Sequence, residues 1–392
     1  MKKQVSILGA TGSIGDSTLK VIRHNRDKYE IHSLVANKQD DKLFDLCVEF
    51  TPRFAILEDK DAALRLEKRL RDAKLDIEVQ TGESATIALM KDPDIDLVVA
   101  AIVGAKGFLS SLSAARSGKT ILLANKETLV VGGALFMHEA KKYGATILPI
   151  DSEHNALFQS LPKNRDGSAS YEGVKRLILT ASGGPFRGFS REALEKVTLE
   201  QALKHPNWSM GAKVTIDSAS LMNKGLEFIE AHFLFEMPVS KISVVVHPQS
   251  MIHSLVEYID GSMISQMGAA DMSIPIAHAL AYPERVVSGA SLLDLTSMKP
   301  LTFEAPDLVA FPALRLAQES LVAGASHLVA LNAANEVFVD KFLQKQIRFI
   351  DIADKVEAVL SGVTISNSAL QDESALLAYD QEIRHIANSM IV

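Results

Sequence analysis

Short apolar runs alternate with longer amphipathic stretches through the first 150 residues. The runs at 5–8, 31–35, 54–57, 97–101, 120–124 and 146–150 are rich in β-branched and aliphatic residues and too short for helices, so they predict strands. Leu97-Val98-Val99-Ala100-Ala101-Ile102 is apolar at every position, as befits a strand buried on both faces of a parallel sheet. Helices between such strands make a doubly wound α/β unit, a Rossmann-type N-terminal domain over 1–150.

Past Asp151 the pattern changes. Asn164-Arg165-Asp166-Gly167-Ser168 reads as a loop, and 177–180, 242–246 and 251–259 as strands. Asp260-Gly261 is a hairpin signal leading into 262–267, so this part predicts antiparallel pairing and an α+β domain over 151–285. Ile216-Asp217-Ser218 reads as a strand end before a helix start. Prolines without a strong period mark 286–311 as a linker, and 312–392 has the Ala-, Leu-, Glu- and Lys-rich texture of a helical domain.

Composition narrows the class. Of 392 residues, 47% are hydrophobic and 23% charged, ordinary for a folded enzyme and unlike a disordered chain. A net charge of -7 offers no basic field, so no nucleic-acid partner is expected. The single cysteine, Cys47, excludes an internal disulfide framework and a thiolate metal cluster. No uncharged apolar segment reaches the ~18 residues of a membrane span. The start, Met1-Lys2-Lys3 before a short apolar run, reads as a strand rather than a signal peptide, so a cytoplasmic protein without a membrane partner is expected.

The first candidate chemistry is Gly9-Ala10-Thr11-Gly12-Ser13-Ile14-Gly15, which follows a predicted strand and opens a helix. Glycines there admit a pyrophosphate and the helix start offers N–H groups, so the segment predicts dinucleotide binding rather than a plain turn. An NAD site ends its second strand on an acid for the ribose. Here the strand runs into Asn37-Lys38-Gln39, with no acid before Asp40, which favours NADP unless Lys38 is simply a solvated lysine. Ala124-Asn125-Lys126-Glu127 also stands at a strand's carboxyl end, facing a cofactor or capping a helix through Asn125.

Asp151-Ser152-Glu153 places two acids on one side of an extended chain, where they either cap the next helix or hold a hard cation. In Ser218-Ala219-Ser220-Leu221-Met222-Asn223-Lys224-Gly225-Leu226-Glu227, a helix would put Asn223, Lys224 and Glu227 on one face. That is either a phosphate pocket with a third carboxylate or a surface pair worth roughly 0.2–0.5 kcal/mol. Three carboxylates suit Mg²⁺ or Mn²⁺, with Co²⁺ a further candidate. The loop Ala181-Ser182-Gly183-Gly184-Pro185 is a candidate anion nest. The segment His205-Pro206-Asn207-Trp208-Ser209-Met210-Gly211 holds the only tryptophan, as a lid over ligand or as a brace for an ordinary loop. His253 reads as a structural histidine.

Together these segments, with Thr180-Ala181-Ser182-Gly183-Gly184-Pro185-Phe186-Arg187 and Val246-His247-Pro248-Gln249-Ser250, closely resemble the 1-deoxy-D-xylulose 5-phosphate reductoisomerase family over nearly the whole chain, in the family's order. The resemblance implies Asp151, Glu153 and Glu227 as metal ligands and, with Lys126, as catalytic residues. It implies Ser152 and Lys126 at the substrate's oxygenated carbons, Glu153 and Glu227 as further substrate-binding residues, and Ser182, Ser218, Asn223 and Lys224 at its phosphate, with His205 nearby on a flexible loop. Thr11, Gly12, Ser13, Ile14, Asn37, Lys38, Gln39, Asn125, Glu127 and Gly211 would contact NADPH. A homodimer is implied as well. Two positions depart from the family's pattern: Asn37 replaces a glycine and Ala270 a proline.

The implied reaction is rearrangement of 1-deoxy-D-xylulose 5-phosphate and its reduction by NADPH to 2-C-methyl-D-erythritol 4-phosphate. Two alternatives stay open on the residues alone. One is an NADP-dependent sugar-phosphate dehydrogenase without rearrangement, the other a non-catalytic NADP-binding sensor.

Overall fold

The apolar runs of the first 150 residues all form strands, because helices on both sides of a parallel sheet leave no face for polar side chains. The computed structural model describes residues 2–164, 167–208 and 210–391, so Arg165, Asp166 and Ser209 lie outside the described residues. The strands are β1 (Lys3–Leu8), β2 (Tyr29–Ala36), β3 (Phe54–Leu57), β4 (Glu78–Thr81), β5 (Leu97–Ala100), β6 (Thr120–Leu123) and β7 (Thr146–Pro149). They pair in parallel in the order β4-β3-β2-β1-β5-β6-β7. No apolar run announces β4, an edge strand whose sequence, Glu-Val-Gln-Thr, is half exposed. The strand order reverses between β1 and β5, so their carboxyl ends flank the crevice where doubly wound sheets bind ligands.

The chain forms two compact units. The first comprises Met1–Asn125, Phe136–Asp151 and Met272–Ala290. Its last segment belongs there because the Ser273–Ala281 helix packs on the Ser13–His24 helix, and Asn25 Nδ2 donates to the Val287 carbonyl at 2.8 Å. The second comprises Lys126–Leu135, Ser152–Asp271 and Ser291–Val392.

The second unit is built on a four-stranded sheet, β8 (Val174–Ala181), β9 (Ile242–Val246), β10 (Ile252–Tyr258) and β11 (Met263–Met267), in the order β11-β10-β8-β9. β10 and β11 form the expected hairpin about Asp260-Gly261, while β8 and β9 run parallel. The Ser152–Ser160 and Met222–Leu234 helices pack against this sheet. Helices Ala313–Ala323, Ala325–Leu343, Phe349–Ser361 and Glu373–Ser389 form the expected helical region around the largely buried Ala325–Leu343 helix. A Cβ on Gly225 would lie 2.6 Å from Ala317 Cβ, so only glycine lets the Met222–Leu234 helix approach Ala313–Ala323 so closely.

Two local expectations are corrected. Ile216-Asp217-Ser218 ends no strand but lies in the Ala212–Ala219 helix, whose buried face meets the Met222–Leu234 and Ala325–Leu343 helices. Its apolar residues are too few to tell a buried helical turn from a strand, and tertiary packing decides. Asp151-Ser152-Glu153 is not extended either, since Ser152 starts the Ser152–Ser160 helix and Glu153 falls in its first turn.

Candidate active site

In the first unit the glycine motif sits at the switch point. Gly9 ends β1 with φ +92°, and a Cβ there would lie 2.6 Å from the Ala101 carbonyl that follows β5. A Cβ on Gly15 would strike the Ala10 backbone, so this glycine sets the close packing of helix on strand. The Gly9 and Ala10 N–H groups donate to the Val35 carbonyl at 2.9 and 2.8 Å, which ties the loop to the end of β2. Thr11, Gly12, Ser13 and Ile14 form the entry to the Ser13–His24 helix, whose N-cap, Gly12, brings no side chain to the first N–H groups. That leaves the helix start open to an anion.

Asn37, Lys38 and Gln39 follow β2 as an exposed stretch beside this motif. Asn37 has no left-handed backbone, so the missing glycine costs no strain. Asp40 is held by Arg65 through two hydrogen bonds, of 2.8 and 3.1 Å, and that guanidinium keeps its carboxyl below the usual range. The nearest acid is thus committed elsewhere, in keeping with a site that spares a 2′-phosphate. Asn125 is buried after β6, where its Nδ2 donates to the carbonyls of Ile102 and, at 3.0 Å, Gly104, so it shapes the loop beyond β5.

The second unit carries the other expected residues. The Met222–Leu234 helix places Asn223, Lys224 and Glu227 on one face, as its spacing predicts. Glu227 is buried, and its Oε1 accepts from Asn223 Nδ2 and from Lys126 Nζ at 3.3 Å. Lys224 Nζ donates to Glu227 Oε2 and stands 3.4 Å from Glu153 Oε1. Lys126 Nζ also donates to Asn223 Oδ1 at 2.9 Å, and Ser152 Oγ to Glu153 Oε2 at 2.7 Å. In this unit a carboxylate oxygen of Glu153 lies within 4.8 Å of one of Glu227, and Asp151 directly precedes the Ser152–Ser160 helix that carries Glu153. All the donors are oxygen, the set a hard dication selects, and two lysine ammoniums meanwhile share the charge of Glu153 and Glu227.

The expected phosphate residues of the Ser182 loop meet the end of the Ala212–Ala219 helix. Gly184 approaches the end of the Ala212–Ala219 helix so closely that a Cβ would be 2.8 Å from the Ser218 carbonyl, which brings the Ser182 loop to Ser218. Ser182 Oγ lies 3.0 Å from His205 Nε2 and accepts from the Gly184 N–H at 3.2 Å. His205 Nδ1 accepts from the N–H groups of Asn207 and Trp208, at 3.2 and 2.9 Å, so the ring proton belongs on Nε2, toward Ser182. Burial holds its pKa down at about 4, and the ring is neutral at pH 7. Leu221, in a left-handed conformation with φ +63°, makes the turn that starts the Met222–Leu234 helix next to Ser218. Such strain in a bulky residue persists where the surroundings impose it.

Asn207 and Trp208 pack within the second unit. Asn207 Nδ2 donates to the Pro248 carbonyl at 2.7 Å and Ser250 Oγ at 3.0 Å, and the Trp208 ring lies 5.9 Å from that of His253. Burial lowers the His253 pKa to about 4, against smaller opposing hydrogen bonds with Gly268 and Ala269. The folded ring is therefore neutral between pH 6.5 and 4, where the unfolded one takes up a proton. Stability contributed by this neutral ring is complete above about pH 7 and falls by up to ~3 kcal/mol as pH drops toward 4. Urea midpoints at neutral and mildly acidic pH measure this slope, and His253→Gln flattens it.

Several positioning residues escaped the sequence reading. Lys213 is buried between Glu127 Oε1 at 2.7 Å and Asp217 Oδ2 at 2.8 Å, with Asn335 Nδ2 on Asp217 Oδ1 at 2.9 Å. Burial opposes ionisation of Glu127, yet Lys213 offsets it and holds that carboxyl below its usual range. The four-residue spacing of Lys213 and Asp217 was the available signal, hidden by the strand assignment. Gly211 is the N-cap of that same helix. His154 Nε2 bonds the Glu227 carbonyl at 2.8 Å, and Nδ1 lies 3.4 Å from Glu230 Oε2, so it clamps the helices that carry Glu153 and Glu227. Nothing in its spacing foretold that contact.

Models of the 1-deoxy-D-xylulose 5-phosphate reductoisomerase family match residues 5–133, 147–235 and 267–386, the last two by its C-terminal domains. The chain is 51% identical over 390 residues to the reductoisomerase of Dechloromonas aromatica, covering 99% of this chain and 97% of that one. It is 49% identical over 391 residues to that of Paraburkholderia xenovorans, covering 100% and 96%. A crystal structure of DOX-P reductoisomerase with NADPH, fosmidomycin and magnesium superposes with a TM-score of 0.95 at 46% identity, over 99% of this chain and 98% of that one. The Zymomonas mobilis enzyme in complex with NADPH gives 0.91 at 43% identity, over 100% and 99%. With this similarity along its whole length, the chain belongs to the 1-deoxy-D-xylulose 5-phosphate reductoisomerase family.

Proposed function

We propose that this protein converts 1-deoxy-D-xylulose 5-phosphate to 2-C-methyl-D-erythritol 4-phosphate, using NADPH and a divalent metal. The observation that carries this reading is the meeting of the Glu153 and Glu227 carboxylates about Lys224, with Lys126 on Glu227, in a chain of this family. Relatives solved with NADPH, fosmidomycin and magnesium support it.

Asp151, Glu153 and Glu227 would hold Mg²⁺ or Mn²⁺, with Co²⁺ also compatible. When bound, such an ion supplies Lewis-acid charge at the substrate's oxygens, and NADPH supplies a hydride. The remaining work belongs to side chains. Lys126, held by Asn223 and Glu227, presents a fixed ammonium to a developing negative charge. Ser152 and Glu153 orient the hydroxyl-bearing carbons. Ser182, Ser218, Asn223 and Lys224 bind the phosphate at a helix N-terminus, and neutral His205 gives it a hydrogen bond from Nε2 rather than a full charge. Phosphate binding remote from the reacting carbons supplies energy for orientation. Trp208, on a loop tied through Asn207 to Pro248, would shield the reactive carbonyl from water. Thr11, Gly12, Ser13, Ile14, Asn37, Lys38, Gln39, Asn125, Glu127 and Gly211 would contact NADPH.

We assign the cofactor domain to 1–150, the catalytic domain to 151–285, a linker to 286–311 and the helical domain to 312–392. Among the described residues no helix is long and apolar enough to cross a membrane, in keeping with a cytoplasmic location. A homodimer is favoured by β11, an edge strand that exposes Met263, Ile264 and Met267. The test is NADPH oxidation on 1-deoxy-D-xylulose 5-phosphate with and without Mg²⁺, followed by analysis of the product's carbon skeleton. Metal-dependent turnover to a branched polyol phosphate is expected. An unbranched product, or turnover indifferent to metal, rejects the assignment.

A further inference from the structure

A second group of potential ligands lies in the first unit, at the amino edge of the seven-stranded sheet, whereas the glycine motif occupies the carboxyl edge. β1 and β2 pair Val5 with Ile31 and then Ser6 with Ser33, so His32 is an extra residue in the ladder. Bulges are rare in parallel pairing, and one of their effects is to re-aim a side chain. Here the imidazole is buried, 3% exposed, and neither ring nitrogen has a hydrogen-bond partner among the described residues. Leaving such a group unsatisfied is destabilising, and an apolar β-branched residue would fill a strand position without that cost.

The ring faces acids. Its Nε2 stands 3.4 Å from Asp92 Oδ2, and one ligand atom from each of His32, Asp92 and Asp94 lies within 4.8 Å of the others. The turn that carries the acids is pinned: Lys119 Nζ donates to the carbonyls of Asp92 at 2.6 Å and Ile95 at 2.9 Å, and the Asp94 N–H donates to Asp92 Oδ1 at 3.0 Å. Arg53 Nη1 lies 3.0 Å from Asp94 Oδ2 and 3.9 Å from Asp92 Oδ2. Arg53 and Asp94 are both well exposed, so both can swing, which lets the three ligands close to the separations of about 4 Å or less that one ion with ~2.1 Å bonds requires. Burial also disfavours a charged ring at His32, and neutral imidazole is the form that binds metal.

We propose that His32, Asp92 and Asp94 form a site for a divalent transition-metal ion of the zinc class, separate from the three-carboxylate group. One imidazole with two carboxylates and a water makes the four-coordinate N/O set that Zn²⁺ accepts, whereas Mg²⁺ prefers oxygen alone. The ion would tie β2 to the turn before β5.

The test uses the full chain, stripped of metal, titrated calorimetrically with Zn²⁺ in excess Mg²⁺ so that the oxygen-only group is filled. One equivalent of Zn²⁺ is expected to bind the parent protein and raise its melting temperature. His32→Val and Asp94→Asn are expected to weaken that binding at least tenfold to a hundredfold and to lose the Zn²⁺-induced shift, with Mg²⁺-dependent NADPH oxidation unchanged. Asp94 is exposed, so Asp94→Asn folds even if the buried substitution does not. Absence of Zn²⁺ uptake by the parent overturns the site, and so does unchanged uptake in either variant.

Discussion

Replacing Glu227 by Gln should lower kcat/KM at fixed Mg²⁺ by about a thousandfold, roughly 4 kcal/mol of lost transition-state stabilisation. The amide keeps the shape of the side chain and its place on the Met222–Leu234 helix, but removes one of three negative charges. Glu227 also accepts from Lys126, Lys224 and Asn223 at once, so its loss releases both ammoniums from their common partner. Part of the activity should return as Mg²⁺ is raised, because weakened ligation answers to mass action while a collapsed site does not. Asp151→Asn and Glu153→Gln should change metal dependence in the same direction. The measurement is the NADPH oxidation rate across a Mg²⁺ titration for each variant. A Glu227→Gln enzyme with the parent's rate and metal dependence would remove Glu227 from the ligand set.

Lys213→Met should cost the fold about 3–5 kcal/mol, since it removes the only cation of a buried Glu127–Lys213–Asp217 triad and leaves two acids without it. Both carboxylates are at most 5% exposed. The melting temperature should fall by roughly 10 °C at neutral pH. The sign of the pH dependence separates this from lost packing. Lys213 holds the Glu127 carboxyl below its usual range, and without it burial raises that carboxyl above its unfolded value. The variant then suffers most at high pH and recovers relative to the parent as pH falls and the acid protonates. Melting curves at several pH values decide this, and a deficit that does not shrink toward acid pH would show that packing, not charge, is what the lysine contributes.

Glu227, Lys224 and Asn223 were legible because helical spacing puts them on one face, and the Met222–Leu234 helix does so. The Gly9–Gly15 motif was legible because its first and last glycines are required by backbone approach, where a Cβ would strike the carbonyl oxygens of Ala101 and Ala10. Lys213 was not legible, since its helix has too few residues to show a period and was read as a strand. Neither was β4, whose edge position demands no apolar run. His154 and Glu230, both fully buried, could not be told from any polar pair on two helices.

The apolar-run strands of the parallel sheet, the hairpin at Asp260-Gly261 and the helical end of the chain were determined by sequence alone, because period and turn chemistry act over a few residues. The meeting of Glu153 with Glu227, more than seventy positions away, was decided only by tertiary structure. So were the approach of Gly184 to Ser218 and the burial of Lys213 between two acids. Those contacts depend on how helices pack on a sheet, and packing sums many weak contacts across distant segments that no local pattern encodes.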